Sequence, residues 1–102
     1  MRRITTPTHI FSLPEDLTVD SLGDVIITYA QDHKPLIEKR LSDIEVDGEK
    51  NALILTLTQE ETKKFHSGKA KVQVRALTSE NKVLASQIVS FYVKPVINQE
   101  VL

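Results

Sequence analysis

Along most of the chain apolar residues recur with a period of two. From Ala52 to Thr58, Leu53, Leu55 and Leu57 share one parity and Ile54 and Thr56 the other, as in a pleated strand whose successive side chains point to opposite faces. Thr58-Gln59-Glu60-Glu61 follows with the spacing of a capping box, in which the Thr58 hydroxyl accepts from the Glu61 amide and the Glu61 carboxylate reaches back. A short helical turn is expected there. Glu60 and Lys64 stand four apart with the acid first, the favourable order for a surface pair, and Gly68 is placed to end the turn in the left-handed conformation. From Lys69 to Thr78 the polar Lys71, Gln73 and Arg75 alternate with Val72, Val74 and Ala76, so the chain returns as a strand with one wet and one buried face. Phe65, between the two strands, is expected to plug one end of the core.

The same pattern places the remaining strands. Thr8 to Leu13 puts Ile10 and Phe11 on opposite faces of a short strand closed by Leu13-Pro14-Glu15-Asp16. A loop from Leu17 to Gly23 leads into Asp24 to Gln31, whose Val25-Ile26-Ile27 run is apolar on both faces and reads as a central strand. Asp32-His33-Lys34-Pro35 reads as a turn, followed by a strand from Leu36 to Leu41 that Glu38-Lys39-Arg40 marks as an edge, because charge discourages open pairing. Asp43 to Val46 is a short fourth strand, and Asp47-Gly48 begins the reversal into Ala52. The last strand, Val83 to Lys94, is irregular: Leu84 and Ile88 have one parity, Val89, Phe91 and Val93 the other. Either a bulge near Gln87 reconciles them, or both faces are buried, one of them against another molecule. The fold expected is all-β, a sandwich of roughly seven strands with one short helical turn between the strands at 52–58 and 69–78. A five-stranded barrel has compatible spacing.

The 102 residues fit one domain, with residues 1–7 as a flexible arm, 8–94 as the sandwich and 95–102 as an apolar tail. Pro7 and the lack of a sustained pattern set off the arm. In the tail, Val96, Ile97, Val101 and Leu102 are too apolar for an ordinary solvated terminus and are candidate docking residues. Thirteen Lys plus Arg against fourteen Asp plus Glu give a net charge of -1, so no global field draws nucleic acid or an acidic membrane. Without cysteine there is no disulfide framework and no thiolate metal site, and no apolar run approaches the ~20 residues that span a bilayer.

Candidate chemistry is sparse. His9, His33 and His66 lack metal-ligand spacing, and no metal, cofactor or small-molecule substrate is expected. The acidic pair Glu60 and Glu61 stands where helix starts favour acids for dipole reasons, and neither Ser12 nor Ser67 lies in a nucleophile elbow. An enzyme is not expected. Lys63, Lys64, His66, Lys69, Lys71 and Arg75 form a local basic cluster that could hold a polyanion. Phe11, Tyr29, Phe65, Phe91 and Tyr92 fall at pattern positions that read as buried or half-buried, which leaves no stacking platform for nucleic acid and none for carbohydrate.

Leu57 to Thr62 through Phe65, Gly68 and Val72-Gln73-Val74-Arg75, then Leu84-Ala85-Ser86, together with the Ile4 to Thr8 opening, resembles small prophage-encoded proteins of Gram-positive bacteria. The resemblance implies an immunoglobulin-like β-sandwich among phage structural genes. It differs from antibody domains in lacking both cysteines, the core Trp, and a Tyr near the start of the strand after the helical turn. The function implied is a noncatalytic structural or protein-interaction module of a phage particle, in tail, baseplate or neck assembly. Its partners would be other phage structural proteins or a second copy, and its location the bacterial cytoplasm during assembly and the virion. A polyanion binder using the Lys63 to Arg75 cluster and a carbohydrate-binding or regulatory module on the same fold are the alternatives.

Overall fold

The computed structural model describes residues 1, 5–14, 17–18, 21–78, 80 and 83–94, with backbone alone at 84 and 85. Seven strands form two antiparallel sheets: β1 (Thr8–Ser12), β2 (Asp24–Gln31), β3 (Lys34–Arg40), β4 (Glu45–Asp47), β5 (Ala52–Thr56), β6 (Gly68–Leu77) and β7 (Val83–Val93). One sheet has the order β1-β5-β4, the other β3-β2-β6-β7. This is an all-β immunoglobulin-like sandwich, with the four-residue helix α1 (Gln59–Thr62) crossing between the sheets. The barrel alternative falls, because β1 and β7 end their sheets and do not pair.

α1 starts as its sequence dictates. Thr58 accepts from the Glu61 amide at 3.1 Å and donates its own amide to the Glu61 carboxylate at 2.9 Å. Burial alone would raise the Glu61 pKa, but the hydrogen bond from Lys39 and those from Thr58 outweigh it and hold the carboxyl below its ordinary value. Lys39 lies 2.6 Å from Glu61, tying edge strand β3 to the crossing. Glu60 pairs with Lys63 at 3.2 Å, three residues on, instead of Lys64, because α1 ends at Thr62. Gly68 does not end the helix; it opens β6 with φ +130°, a region open to glycine and strained for other residues.

Val25, Ile27, Leu53, Leu57 and Phe65 are at most 1% exposed and form the centre of the core. β2 is central as expected, flanked by β3 and β6. The β2–β3 reversal is tighter than the sequence pattern implied. Asp32 and His33 alone form it, with φ of 54° and 65°, the two positive values a type I′ hairpin requires. Pro35 therefore lies inside β3, opposite Ala30, where the register shifts and an edge strand tolerates a missing amide. Leu41–Asp43 forms a 3₁₀ turn, so β4 starts at Glu45 instead of Asp43.

The irregularity of β7 has a different origin from a bulge at Gln87. Pairing with β6 is continuous from Ala85 to Val93, and the register shift falls between Ala76 and Leu77, with Val83 opposite Leu77. β7 is the outermost strand of its sheet, and among the described residues no strand pairs with its far side, so apolar side chains of both parities stay exposed. Val83, Ile88, Val89 and Tyr92 are 57%, 62%, 40% and 67% exposed. Tyr92 thus corrects the expectation of a half-buried ring.

Candidate functional site

The two sides of the sandwich treat their edges differently. On one side lie β3, with Lys34, Pro35, Glu38, Lys39 and Arg40, and the three-residue β4. Charge, proline and shortness are the devices that block strand addition. On the other side lie β1 and β7. β7 runs eleven residues, VLASQIVSFYV, without one charged residue or proline, and β1, THIFS, has none either apart from His9. These are the unprotected edges, and they face each other across the same seam.

The seam is open because β1 is too short to cover β7. At the C-terminal end of β7, Phe91 is half-buried and Val93 fully buried. The Phe91 ring lies 6.1 Å from Tyr29, 6.1 Å from Phe65 and 6.0 Å from His9, centroid to centroid, which anchors that end in an aromatic cluster. Towards the N-terminal end Val89 and Gln87 lie on the same inward face, opposite Val72 and Val74, but stay exposed because nothing from β1 covers them. Two clefts follow the seam and share Phe11. One of about 320 Å³ is lined by His9, Ile10, Val72 and Val89, the other of about 260 Å³ by Leu13, Val74, Ala76 and Gln87.

His9 forms the floor of the seam. Its Nδ1 lies 2.5 Å from the Tyr29 hydroxyl. Burial, and next the positive N-terminus, lower the His9 pKa, while burial and then the Glu61 charge raise that of Tyr29, so both groups are held neutral and a hydrogen bond joins them. A neutral pair of half-buried His9 and fully buried Tyr29 in an aromatic wall suits apolar contact.

The orientation of the β7 backbone follows from Met1. Its amine donates to the Tyr92 carbonyl at 3.0 Å, and its carbonyl accepts from the Lys94 amide at 2.6 Å. Both groups point away from β6. Because a strand's backbone groups alternate sides residue by residue, those of Ser86, Ile88 and Ser90 also point to the free edge, while those of Gln87, Val89 and Phe91 serve the β6 ladder.

The residues singled out from sequence are dispersed. Val96, Ile97, Val101 and Leu102 lie outside the described residues. In the basic cluster, Lys63 pairs with Glu60, and His66 contacts the Asp32 carboxylate and the Ser67 carbonyl. Lys69, Lys71 and Arg75 lie on the outward face of β6, whose inward face carries the buried Ala70, Val72, Val74 and Ala76. The cluster is thus split between the crossing, where acids answer it, and one sheet face. His33 is exposed in the β2–β3 hairpin, and His9 stands half-buried in the seam. Among the described residues no three His, Cys, Asp or Glu side chains gather as a metal-binding group, and no helix is long and apolar enough to cross a membrane. The open edge itself was signalled only by the clashing parity of Ile88 and Val89.

No family model and no curated protein matches the chain. Among solved structures it is similar to CopC from Methylosinus trichosporium OB3b, at 20% identity and a TM-score of 0.49, over 72% of this chain and 65% of that one. The chain therefore spans just under two thirds of that protein's length. This finding corrects the expectation of a phage particle module located in the bacterial cytoplasm and the virion: the structure matched is CopC, and the phage, prophage and virion assignments are given up with it. The motifs behind that expectation were a helix cap, a core phenylalanine and an alternating strand, which the sandwich needs whatever its source. At this level of likeness no copper chemistry passes to this chain.

Proposed function

We propose that the protein is a noncatalytic binding module that takes up an extended polypeptide segment by strand addition along β7. The observation that carries this is the contrast of edges, with β3 guarded by charge and proline and β7 presenting eleven uncharged residues with Ile88, Val89 and Tyr92 exposed. An added strand would take the outward backbone groups of Ser86, Ile88 and Ser90, which supplies affinity with little regard to sequence. Its inward side chains would enter the clefts beside Phe11 and Val89, which supplies selectivity for apolar residues at alternate positions.

The test uses a fluorescent peptide of alternating valine and threonine, about ten residues long with lysines at its ends, a generic strand of ordinary length. Saturable binding by fluorescence anisotropy is expected, weakened about tenfold or more by Val89→Lys, which puts an inward charge on the edge as natural sheets do to prevent pairing. Val89 is 40% exposed, so the variant is expected to keep the wild-type far-UV spectrum and melt within a few degrees of it. A peptide that fails to bind, or binds Val89→Lys equally well, overturns the assignment.

A further inference from the structure

Which strand fits the edge is written into β7 itself. Read about Ile88, the sequence is close to self-complementary: Ser86 answers Ser90 and Val83 answers Val93, with Ile88 opposite itself. Only some registers are open to two copies of β7 running antiparallel. The outward backbone groups belong to Ser86, Ile88 and Ser90, so residues of this parity must oppose one another as hydrogen-bonded pairs. Centring on Ile88 satisfies this, pairing Ser86 with Ser90 twice and Ile88 with its twin. Slipping by one residue sets outward groups against groups already engaged by β6 and fails. Slipping by two restores the parity but centres the pair either on Gln87, amide side chain against amide side chain, or on Val89, which sets Ser86 against Tyr92 whose carbonyl already accepts from Met1, and either way separates the exposed isoleucines.

We infer that the protein self-associates as a two-fold dimer through antiparallel β7–β7 pairing centred on Ile88, which joins two four-stranded sheets into one of eight strands. The inference rests on the strand-addition reading and names its occupant as a second copy. Met1 bounds the pairing, since its bonds to Tyr92 and Lys94 occupy the far end of the edge and, among the described residues, no other strand pairs with that side from Ala85 to Phe91. On the outer face the two Ile88 side chains, each 62% exposed in one copy, cover each other between hydroxyl pairs of Ser86 and Ser90, the kind of cross-strand contact that stabilises sheets. On the inner face Val89 meets Gln87 of the second copy, and the two β1 edges come onto the same side of the joined sheet. Seven residues at about 3.3 Å each give roughly 23 Å of paired edge, and with the β1 edge about 10 Å above it the facing edges span roughly 230 Å² per copy. A total of roughly 460 Å² is small for a permanent dimer and fits a weak, concentration-dependent one.

The chain has no cysteine, so single cysteines report the register directly. Under mild oxidation with oxidised glutathione, Ile88→Cys is expected to form a disulfide dimer, because hydrogen-bonded partners have Cα atoms about 5.5 Å apart, within disulfide reach. Ser86→Cys and Ser90→Cys are each expected to stay monomeric alone and to cross-link when mixed. All three positions are exposed, so folding is expected to survive. Adding Val89→Lys to Ile88→Cys is expected to slow cross-linking about tenfold or more. Cross-linking of Ile88→Cys no faster than of Ser90→Cys alone overturns the inference, as does a dimer formed by Gln87→Cys in place of Ile88→Cys. If every variant stays monomeric while the valine-threonine peptide binds, the self-pairing is wrong and strand addition stands. If the peptide also fails to bind, strand addition is wrong as well.

Discussion

Replacing Phe65 by alanine is expected to lower the unfolding free energy by about 3–5 kcal/mol, the range for removing a large aromatic side chain from a core. Phe65 is 1% exposed, and its ring stands edge-on to Tyr29 at 6.1 Å and beside Phe91 at 6.1 Å. The cost has two parts. Lost apolar burial and the cavity left behind account for most of it, and the aromatic contacts add about 0.5–1.5 kcal/mol each beyond area. The second part links the core to the edge, because Phe91 is the residue that ties β7 to the cluster. Urea titration followed by circular dichroism measures the change. A loss under about 1 kcal/mol would mean that Phe65 does not plug the sandwich.

Gln31→Leu is expected to be next in effect, at about 1–3 kcal/mol, although the substitution is close in size and more apolar. Gln31 is 4% exposed, and its amide acts as a clamp: the oxygen accepts from the His66 backbone amide at 2.9 Å and the nitrogen donates to the His66 carbonyl at 2.8 Å. Leucine leaves both partners without these bonds in a half-buried place, and the penalty for stripping buried polar groups exceeds the gain from one more apolar side chain. The clamp joins the β2–β3 hairpin to the loop that leads from α1 into Gly68. A variant at least as stable as wild type in the same titration would show that the clamp contributes nothing.

The sequence carried the parts of the fold that local chemistry determines. Thr58 and Glu61 form their box because a helix start demands those donors and acceptors at that spacing, and β2 is central because Val25-Ile26-Ile27 has no polar face. Pro35 misled because proline marks turns, yet the two positive φ values at Asp32 and His33 complete the reversal before it is reached. The shift opposite Val83 was hidden because nothing in Ala76-Leu77 differs in pattern from a regular strand. The open edge was half legible: the conflict between Ile88 and Val89 was visible, but whether it meant a bulge or an unpartnered strand depends on which strand flanks β7, a fact of topology. The basic cluster seemed compact along the chain and came apart because strand alternation and the acids Glu60 and Asp32 distribute and answer it.

The open β7 edge is tested most directly by amide hydrogen exchange on ¹⁵N-labelled protein at high dilution. Gln87, Val89 and Phe91, bonded into the β6 ladder, are expected to be protected, and Ser86, Ile88 and Ser90 to exchange faster by about tenfold or more, because their amides point away from β6 to the side where no described strand pairs. Raising the protein concentration, or adding the valine-threonine peptide, is expected to slow that second set. Equal protection of all six amides in the dilute protein would contradict an open edge and, with it, strand addition.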